Sequence, residues 1–497
     1  MRNKTTLINT ITTLLQQIVS FLSGFIIPKL ILSTFGSETN GLVLSLNQFL
    51  NYIALIEGGI NGVIIASLYK PLVEKDDKKI SSIIKTSNSF LRKISFILVA
   101  YTVGLAVVYP LVSNSSFSWQ FISTLTLILS IKLFVQYCFS LTLRNLLNAD
   151  KKVYYVSLTQ TLLSLLDIAA TVIVVKIFPS IHALKFVSAI IFAMQPIIYS
   201  RYVNKHYSIK KNVKEDKKLL RNRWDGFAIN TAAFIHNNTD VAILSIFRSL
   251  HEASVYGVYA LVTTGLKTLC QSLWKALGPS IGKLYAANNT KELNNKFDIF
   301  EFITMVLTFF VFSIASLLIT PFVQIYTSGI TDANYYQPIF GYIIVAAEAM
   351  YILREPYVNL AYSAGKFKDL RICAAVEAIL NIAVSLCLAP KLGLIGIAIG
   401  TLIGMSYRTF YQIWYLRDHL INRPFIKFLK RFLVFLMPTL ITIAACGIIL
   451  PVKQNSILSW ILHAAIYSAI FGIEYFAISS LFFRSQMHEL KKYIKKG

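Results

Sequence analysis

Apolar residues fall along this chain in long blocks, each about the length needed to cross the ~30 Å hydrocarbon layer as a helix, with short polar breaks between them. Hydropathy and breaker residues predict fourteen spans, at 8–33, 40–68, 90–112, 120–145, 153–178, 182–203, 225–249, 253–285, 298–323, 334–363, 370–390, 393–416, 428–450 and 457–483. No break is long enough to house a soluble domain. The pattern therefore predicts an all-α polytopic membrane protein. Pro28, Pro196, Pro279, Pro356 and Pro438 fall inside spans and predict kinks, because proline removes an in-helix hydrogen bond and crowds the preceding turn.

Composition agrees with this pattern: of 497 residues, 55% are hydrophobic and 14% charged, against roughly a quarter charged in soluble domains. Charge adds more. A net charge of +25 would suit nucleic acid if it lay on one folded face, but the basic residues sit in the breaks, so no nucleic-acid partner is expected. With the N-terminus taken as cytoplasmic, the breaks and adjoining helix ends on that side hold 37 Lys+Arg and those on the other side hold 6. That bias places both termini in the cytoplasm. The five cysteines lie in apolar segments without paired spacing, which predicts neither a disulfide framework nor a metal site. The first block is too long for a signal peptide and lacks a small-residue cleavage pattern, so it reads as a retained helix.

The longest basic break divides the chain into an N-lobe at 1–204, a basic cytoplasmic linker at 205–223 and a C-lobe at 224–416, followed by two further helices at 417–483 and a basic tail at 484–497. An internal repeat supports the division. Ile31 to Ser37 reads ILSTFGS and Ile243 to Ser249 reads ILSIFRS, five identities in seven at an offset of 212 residues. Both copies run in the same direction across the membrane, which predicts two six-helix lobes related by a parallel pseudo-two-fold axis, a symmetry suited to alternating access.

A charge in hydrocarbon costs several kcal/mol, so ionisable residues deep in spans are the candidates for a transport path. In the eighth span Thr263, Lys267, Gln271 and Lys275 recur every fourth residue and form one polar stripe, its lysines about 12 Å apart along the axis. As function this is a cationic wall for an anionic head group; as structure it is snorkelling or interhelical pairing. The seventh span carries His236-Asn237-Asn238-Thr239-Asp240, polar on every side of the helix. Asp240 and His236 are candidates to couple H⁺ or Na⁺, and a hydrogen-bonded packing seam is the alternative. The second span offers Asn47 and Asn51, then Glu57 and Asn61 around Gly58-Gly59, where glycine permits a bend; Glu57 is a third coupling candidate. Lys132 with Asp167, and Arg354 with Glu377, fall at matching depths and are expected to form structural ion pairs. No HExxH, P-loop or zinc-ligand spacing is present, and no organic cofactor or enzyme activity is expected.

Three segments carry a family resemblance. Phe35 to Ile80, FGSETNGLVLSLNQFLNYIALIEGGINGVIIASLYKPLVEKDDKKI, resembles the second-helix signature of polysaccharide flippases, with its Gly-x-x-x-x-Gly entry, polar helix, acidic-Gly-Gly region and charged loop. Val255 to Leu293 and Leu353 to Leu416, the latter with LREPYVNLAYSAGKFKD and PKLGLIGIAIGTLIG, resemble the eighth and the tenth to twelfth helices of that family. The resemblance is to the O-antigen and capsule (Wzx-type) flippase branch of the multidrug, oligosaccharidyl-lipid and polysaccharide exporter superfamily. It implies two lobes in a V around a cationic cavity, faced by Lys267 and Lys275 and by Lys29 of the first span. It also implies undecaprenyl-diphosphate-linked oligosaccharide as substrate, a bacterial cytoplasmic membrane as location, and a polysaccharide polymerase as a possible partner. Within transport, a cation-coupled drug antiporter is the rival, which would favour an acidic cavity. A membrane glycosyltransferase or polymerase would need a larger outer loop.

Overall fold

With no water to satisfy backbone groups in hydrocarbon, a chain of apolar blocks must close its hydrogen bonds within each block, and helices do so. The computed structural model describes residues 2–57, 59–113, 115–210, 212–216, 234, 238–287, 289–364, 367–421, 423–452 and 456–496, and among these the regular elements are all helical. Ten helices are long and apolar enough to cross a membrane by length and composition, among the described residues. The shortfall from fourteen has identifiable causes. The first predicted span joins the start of the second through a sharp bend at Gly36 with no loop between them, the seventh lies largely outside the described residues, the eighth carries lysines that lower its hydropathy, and the tenth is broken. Large side chains point outward along the helices, Leu111, Ile177 and Ile448 among them, as lipid-facing surfaces require.

The helices group into two compact units, residues 1–254 and 255–497. In the first, α1 (Arg2–Asn51) turns sharply at Gly36, where φ is +84°, a conformation that side chains with a Cβ avoid. The second predicted span is also discontinuous: after α1 come α2 (Ala54–Glu57) and α3 (Ile60–Glu74), with Gly59 left-handed between them. The remaining helices of this unit are α4 (Asp77–Val112), α5 (Trp119–Val135), α6 (Leu141–Ala149), α7 (Val153–Ile177), α8 (Ile181–Ala193), α9 (Gln195–His206) and α10 (Asp240–Phe247). A π turn at Gln136–Ser140 joins α5 to α6. Asn9 ties the start of α1 to α7, donating to the Lys151 carbonyl and accepting from the Tyr154 N–H, both at 2.9 Å. One buried cluster gathers Leu42, Leu46, Tyr109, Ile122 and Leu250; a second gathers Ile60, Ile64, Leu68, Ile83 and Tyr199.

α11 (Leu250–Ala286) leads into the second unit, which continues with α12 (Thr290–Tyr326), α13 (Pro338–Leu353), α14 (Glu355–Ser363), α15 (Phe367–Leu392), α16 (Leu394–His419), α17 (Phe425–Ile449), α18 (Ile457–Phe482) and α19 (Arg484–Lys496). Pro196 and Pro356 each stand in the first turn of a new helix, so at these positions the predicted kinks are breaks; Pro28 and Pro438 lie inside continuous helices. α15 and α16 pack backbone to backbone because Gly396, Gly400 and Gly404 line one face of α16. A Cβ on Gly400 would stand 2.3 Å from Ser385 Oγ, and one on Gly404 would stand 3.0 Å from the Glu377 carbonyl oxygen. The tail read as merely basic is the helix α19. Its Gln486 donates to Asp298 at 2.7 Å, and Met487 packs on the core.

Gly41 makes the tightest approach, since a Cβ there would lie 1.8 Å from the carbonyl oxygen of Leu250. Backbone cannot swing aside as a side chain can. Gly41→Ala is expected to cost about 1–3 kcal/mol and to lower the melting temperature of the purified protein, whereas Gly62→Ala, with no atom within 4 Å of the added carbon, should leave it unchanged or raise it. Equal melting of the two variants would contradict this packing.

Candidate functional site

In the second unit the polar stripe of α11 meets a polar face of α13. Lys267 donates from Nζ to Glu348 Oε1 at 3.0 Å and lies 4.9 Å from the centroid of the Tyr351 ring. One turn along, Gln271 Nε2 donates to Glu355 Oε1 at 2.9 Å and to the Tyr351 hydroxyl at 3.3 Å. Asn359 Nδ2 donates to the other Glu355 oxygen at 3.3 Å. Glu348 and Tyr351 of α13 are three residues apart and lie on one helical face, while Glu355, the first residue of α14, follows the break at Arg354 and meets Gln271 from beyond it. The Lys267 and Glu348 side chains are 13% and 9% exposed, which makes their mutual charge compensation necessary at that depth.

The break between α13 and α14 places Arg354 at a joint, and from there Nη1 donates to Glu377 Oε1 of α15 at 2.7 Å. Arg408 of α16 donates to Glu377 Oε2 at 2.5 Å. The glycine face of α16 lets Arg408, one turn beyond Gly404, come this close. The Arg354 guanidinium also lies 4.1 Å from the Tyr351 ring centroid, so that ring touches both Arg354 and Lys267. Pair, ring and triad form one continuous array of charge.

In the first unit a largely buried polar chain gathers at the discontinuity around Gly59. The Tyr137 hydroxyl, within the π turn, donates to Glu57 Oε2 at 2.8 Å; Asn61 donates to Glu57, and Asn145 donates to Asn61 Oδ1 at 2.7 Å. Glu57 is thus a half-buried carboxylate with two neutral hydrogen-bond donors at a helix break beside a π turn, and Arg144 is near enough to act on it electrostatically. Asp240 is buried at the start of α10, and nearby the Tyr52 hydroxyl donates to the Asn238 carbonyl at 2.9 Å.

The other sequence candidates are placed as follows. Asn47 donates to its own helix at the Val43 carbonyl, 2.8 Å away; Asn51 is exposed at the end of α1, and Lys29 is half-buried on α1. His236 and the side chain of Lys275 lie outside the described residues. No ion pair joins Lys132 and Asp167 among the described residues, contrary to the expectation from matched depth. Lys132 instead sets its ammonium 3.5 Å from the Phe192 ring centroid, and Ser188 of α8 donates to Asp167.

A further buried network was not legible as a site. Asp298 and Glu301 of α12 hold Arg423 and Arg431: Arg423 to Asp298 at 2.8 Å and also to Glu301, Arg431 to Glu301 at 3.1 Å and to Asp298 at 3.2 Å. The Tyr357 hydroxyl donates to Glu301 at 2.5 Å. The signal present in the sequence was two acids one turn apart entering an apolar run, with two arginines eight residues apart entering another. The pentapeptide Gly278-Pro279-Ser280-Ile281-Gly282 has the GxSxG form of a nucleophile elbow, but it lies within α11 as continuous helix, whereas an elbow needs a strand-to-helix turn.

No family model and no curated protein matches the sequence. Solved structures do match by fold. The lipid II flippase MurJ in an inward closed conformation superposes with a TM-score of 0.69 at 16% identity, covering 97% of this chain and 100% of its own. An inward-facing MATE-family multidrug transporter of the MOP superfamily gives 0.61 at 12% identity, covering 84% of this chain and 99% of its own. The MATE multidrug transporter DinF-BH gives 0.61 at 16% identity, covering 82% and 94%. The chain is a multi-pass membrane protein with the fold these transporters share.

Proposed function

We propose that the chain is a flippase that moves undecaprenyl-diphosphate-linked oligosaccharide units across a bacterial cytoplasmic membrane by alternating access, for assembly of a surface polysaccharide. The observation that carries this reading is the charged array of α11 and α13. A diphosphate brings two or more negative charges to a lysine already held by a single carboxylate, and it can displace that carboxylate as Lys267's partner. Glu57 and Asp240 are the coupling candidates of the first unit. Length also supports the reading. The flippase match leaves about 3% of this chain uncovered, too little to omit the helices from Phe425 onward, whereas the two multidrug transporters leave 16% and 18%.

The substrate's chemistry accounts for the rest. Sugars and diphosphate cannot enter hydrocarbon without polar partners, while the polyprenyl tail need not leave it. A path lined by Lys, Gln, Asn and Tyr meets the head, and exchange between two conformations changes the side on which it opens. One observation favours a second reading: two carboxylates, Glu348 and Glu355, meet the polar stripe of α11, which would suit a cation-coupled antiporter. Reconstitution decides between them. Vesicles containing the protein and a fluorescent polyprenyl-diphosphate oligosaccharide should expose the sugar to an impermeant lectin far faster than empty vesicles. No acceleration, with saturable uptake of an organic cation instead, would overturn the flippase assignment.

The proposed orientation has its own check. An epitope after Lys214 should be reached only from the cytoplasm and one after Ser115 only from outside, as the 37-to-6 distribution of basic residues requires. Labelling of the Lys214 site in intact cells would reverse it.

A further inference from the structure

After α9 the chain folds back along the polar end of α4, and a cleft of about 510 Å³ opens between them. Its wall is tied in place. The Lys210 N–H donates to Ser81 Oγ at 2.9 Å, the Asp216 N–H to Thr86 Oγ1 at 2.7 Å, Ser82 Oγ to the Lys214 carbonyl at 2.6 Å and Lys85 Nζ to the Val213 carbonyl at 2.9 Å. Lys79 and Asp216 add an ion pair at 2.8 Å. Four cations, Lys85, Arg92, Lys93 and Lys210, line the cleft with one carboxylate, Glu215. Among the described residues, Arg92, Lys93 and Lys210 make no ion pair, so the cleft holds an excess of positive charge with hydrogen-bond donors turned to its edge.

Its depth identifies what would supply the missing anion. Phe96 lines the same cleft one turn beyond Arg92, about 6 Å further along α4. From there the outward face of α4 is apolar, with Phe96, Ile97, Val99 and Val103 all exposed. The cleft therefore straddles the level at which a helix passes from water into lipid, its cations where phosphates lie and its phenylalanine where acyl chains begin.

We propose that this cleft binds an anionic glycerophospholipid of the leaflet that borders residues 207–216, the phosphate held by Arg92, Lys93 and Lys210 and an acyl chain lying along Phe96. The site lies wholly within the first unit and does not depend on the transported substrate. The test is native mass spectrometry of the full-length protein in detergent, titrated with palmitoyl-oleoyl phosphatidylglycerol or phosphatidylcholine. One phosphatidylglycerol should be retained in preference to phosphatidylcholine, with binding weakened about tenfold or more in the Arg92→Gln/Lys93→Gln/Lys210→Gln variant. Ser89→Trp, which fills the cleft without changing charge, should lose the same lipid and serves if the triple variant does not fold. Retention unchanged in Ser89→Trp, equal retention of phosphatidylcholine, or displacement by soluble glycerol 3-phosphate at the lipid's own concentration would each overturn the proposal, the last by making a free phosphate the ligand.

Discussion

Glu377→Gln is expected to destabilise the protein by about 3–5 kcal/mol, the cost of leaving buried charge without its partner. The Glu377 side chain is 1% exposed and is the shared acceptor of Arg354 and Arg408, themselves buried. With glutamine in its place, two buried guanidinium groups share a neutral amide that offers one acceptor oxygen and no compensating charge. The measurements are the yield of monodisperse protein and its melting temperature in detergent, and both should fall sharply. Glu377→Met combined with Arg354→Met and Arg408→Leu should recover most of the loss, because an apolar trio of similar volume removes the unpaired charges together with the pair. A single variant that melts with the parent would mean that the triad contributes nothing to stability.

Lys267→Ala is expected to lower flipping per folded molecule by about 10- to 100-fold, the range that loss of a charge-assisted hydrogen bond of roughly 1.5–3 kcal/mol supplies. Lys267→Arg should keep part of the activity, since the charge survives while the hydrogen-bond geometry changes, and Lys267→Glu should be inactive. The ion pair with Glu348 supplies the decisive comparison. Lys267→Ala leaves a buried carboxylate unpaired and should reduce abundance; Lys267→Ala/Glu348→Ala removes that penalty. If Lys267 binds the diphosphate, the double variant regains abundance without transport. Transport restored to the parent's rate per molecule would assign Lys267 to structure alone.

These expectations draw on both levels of description. Hydropathy located the spans because a membrane helix is a one-dimensional requirement: about twenty apolar residues, whatever they later touch. Within a span, the recurrence of Thr263, Lys267 and Gln271 at four-residue spacing was equally local and marked a face. Which face it meets is a different kind of fact. Glu348 stands 81 residues from Lys267, and no periodicity relates them. The same limit holds for Lys132 and Asp167, whose direct contacts among the described residues are Phe192 and Ser188. The C-terminal helix was hidden for another reason. Met487, Leu490 and Ile494 recur at helical spacing, but five lysines and arginines from Arg484 to Lys496 lower the hydropathy below that of a span.

The broken second span shows both levels at one place. Gly58 and Gly59 beside Glu57 permitted close approach or a bend, and Gly59 takes the left-handed conformation that glycine adopts without strain. Nothing in the residues near Glu57 indicated that a π turn some eighty positions later would bring Tyr137 to its carboxylate. By itself, then, the sequence determined the medium, most of the membrane helices and the polar face of α11. Each of these depends only on the partition of neighbouring side chains between water and lipid. The tertiary structure alone decided the partners: Lys267 with Glu348, Glu377 between two arginines, Glu57 with Tyr137. A buried charge must be answered by whatever residue packing brings within about 3 Å, and packing is a property of the whole fold.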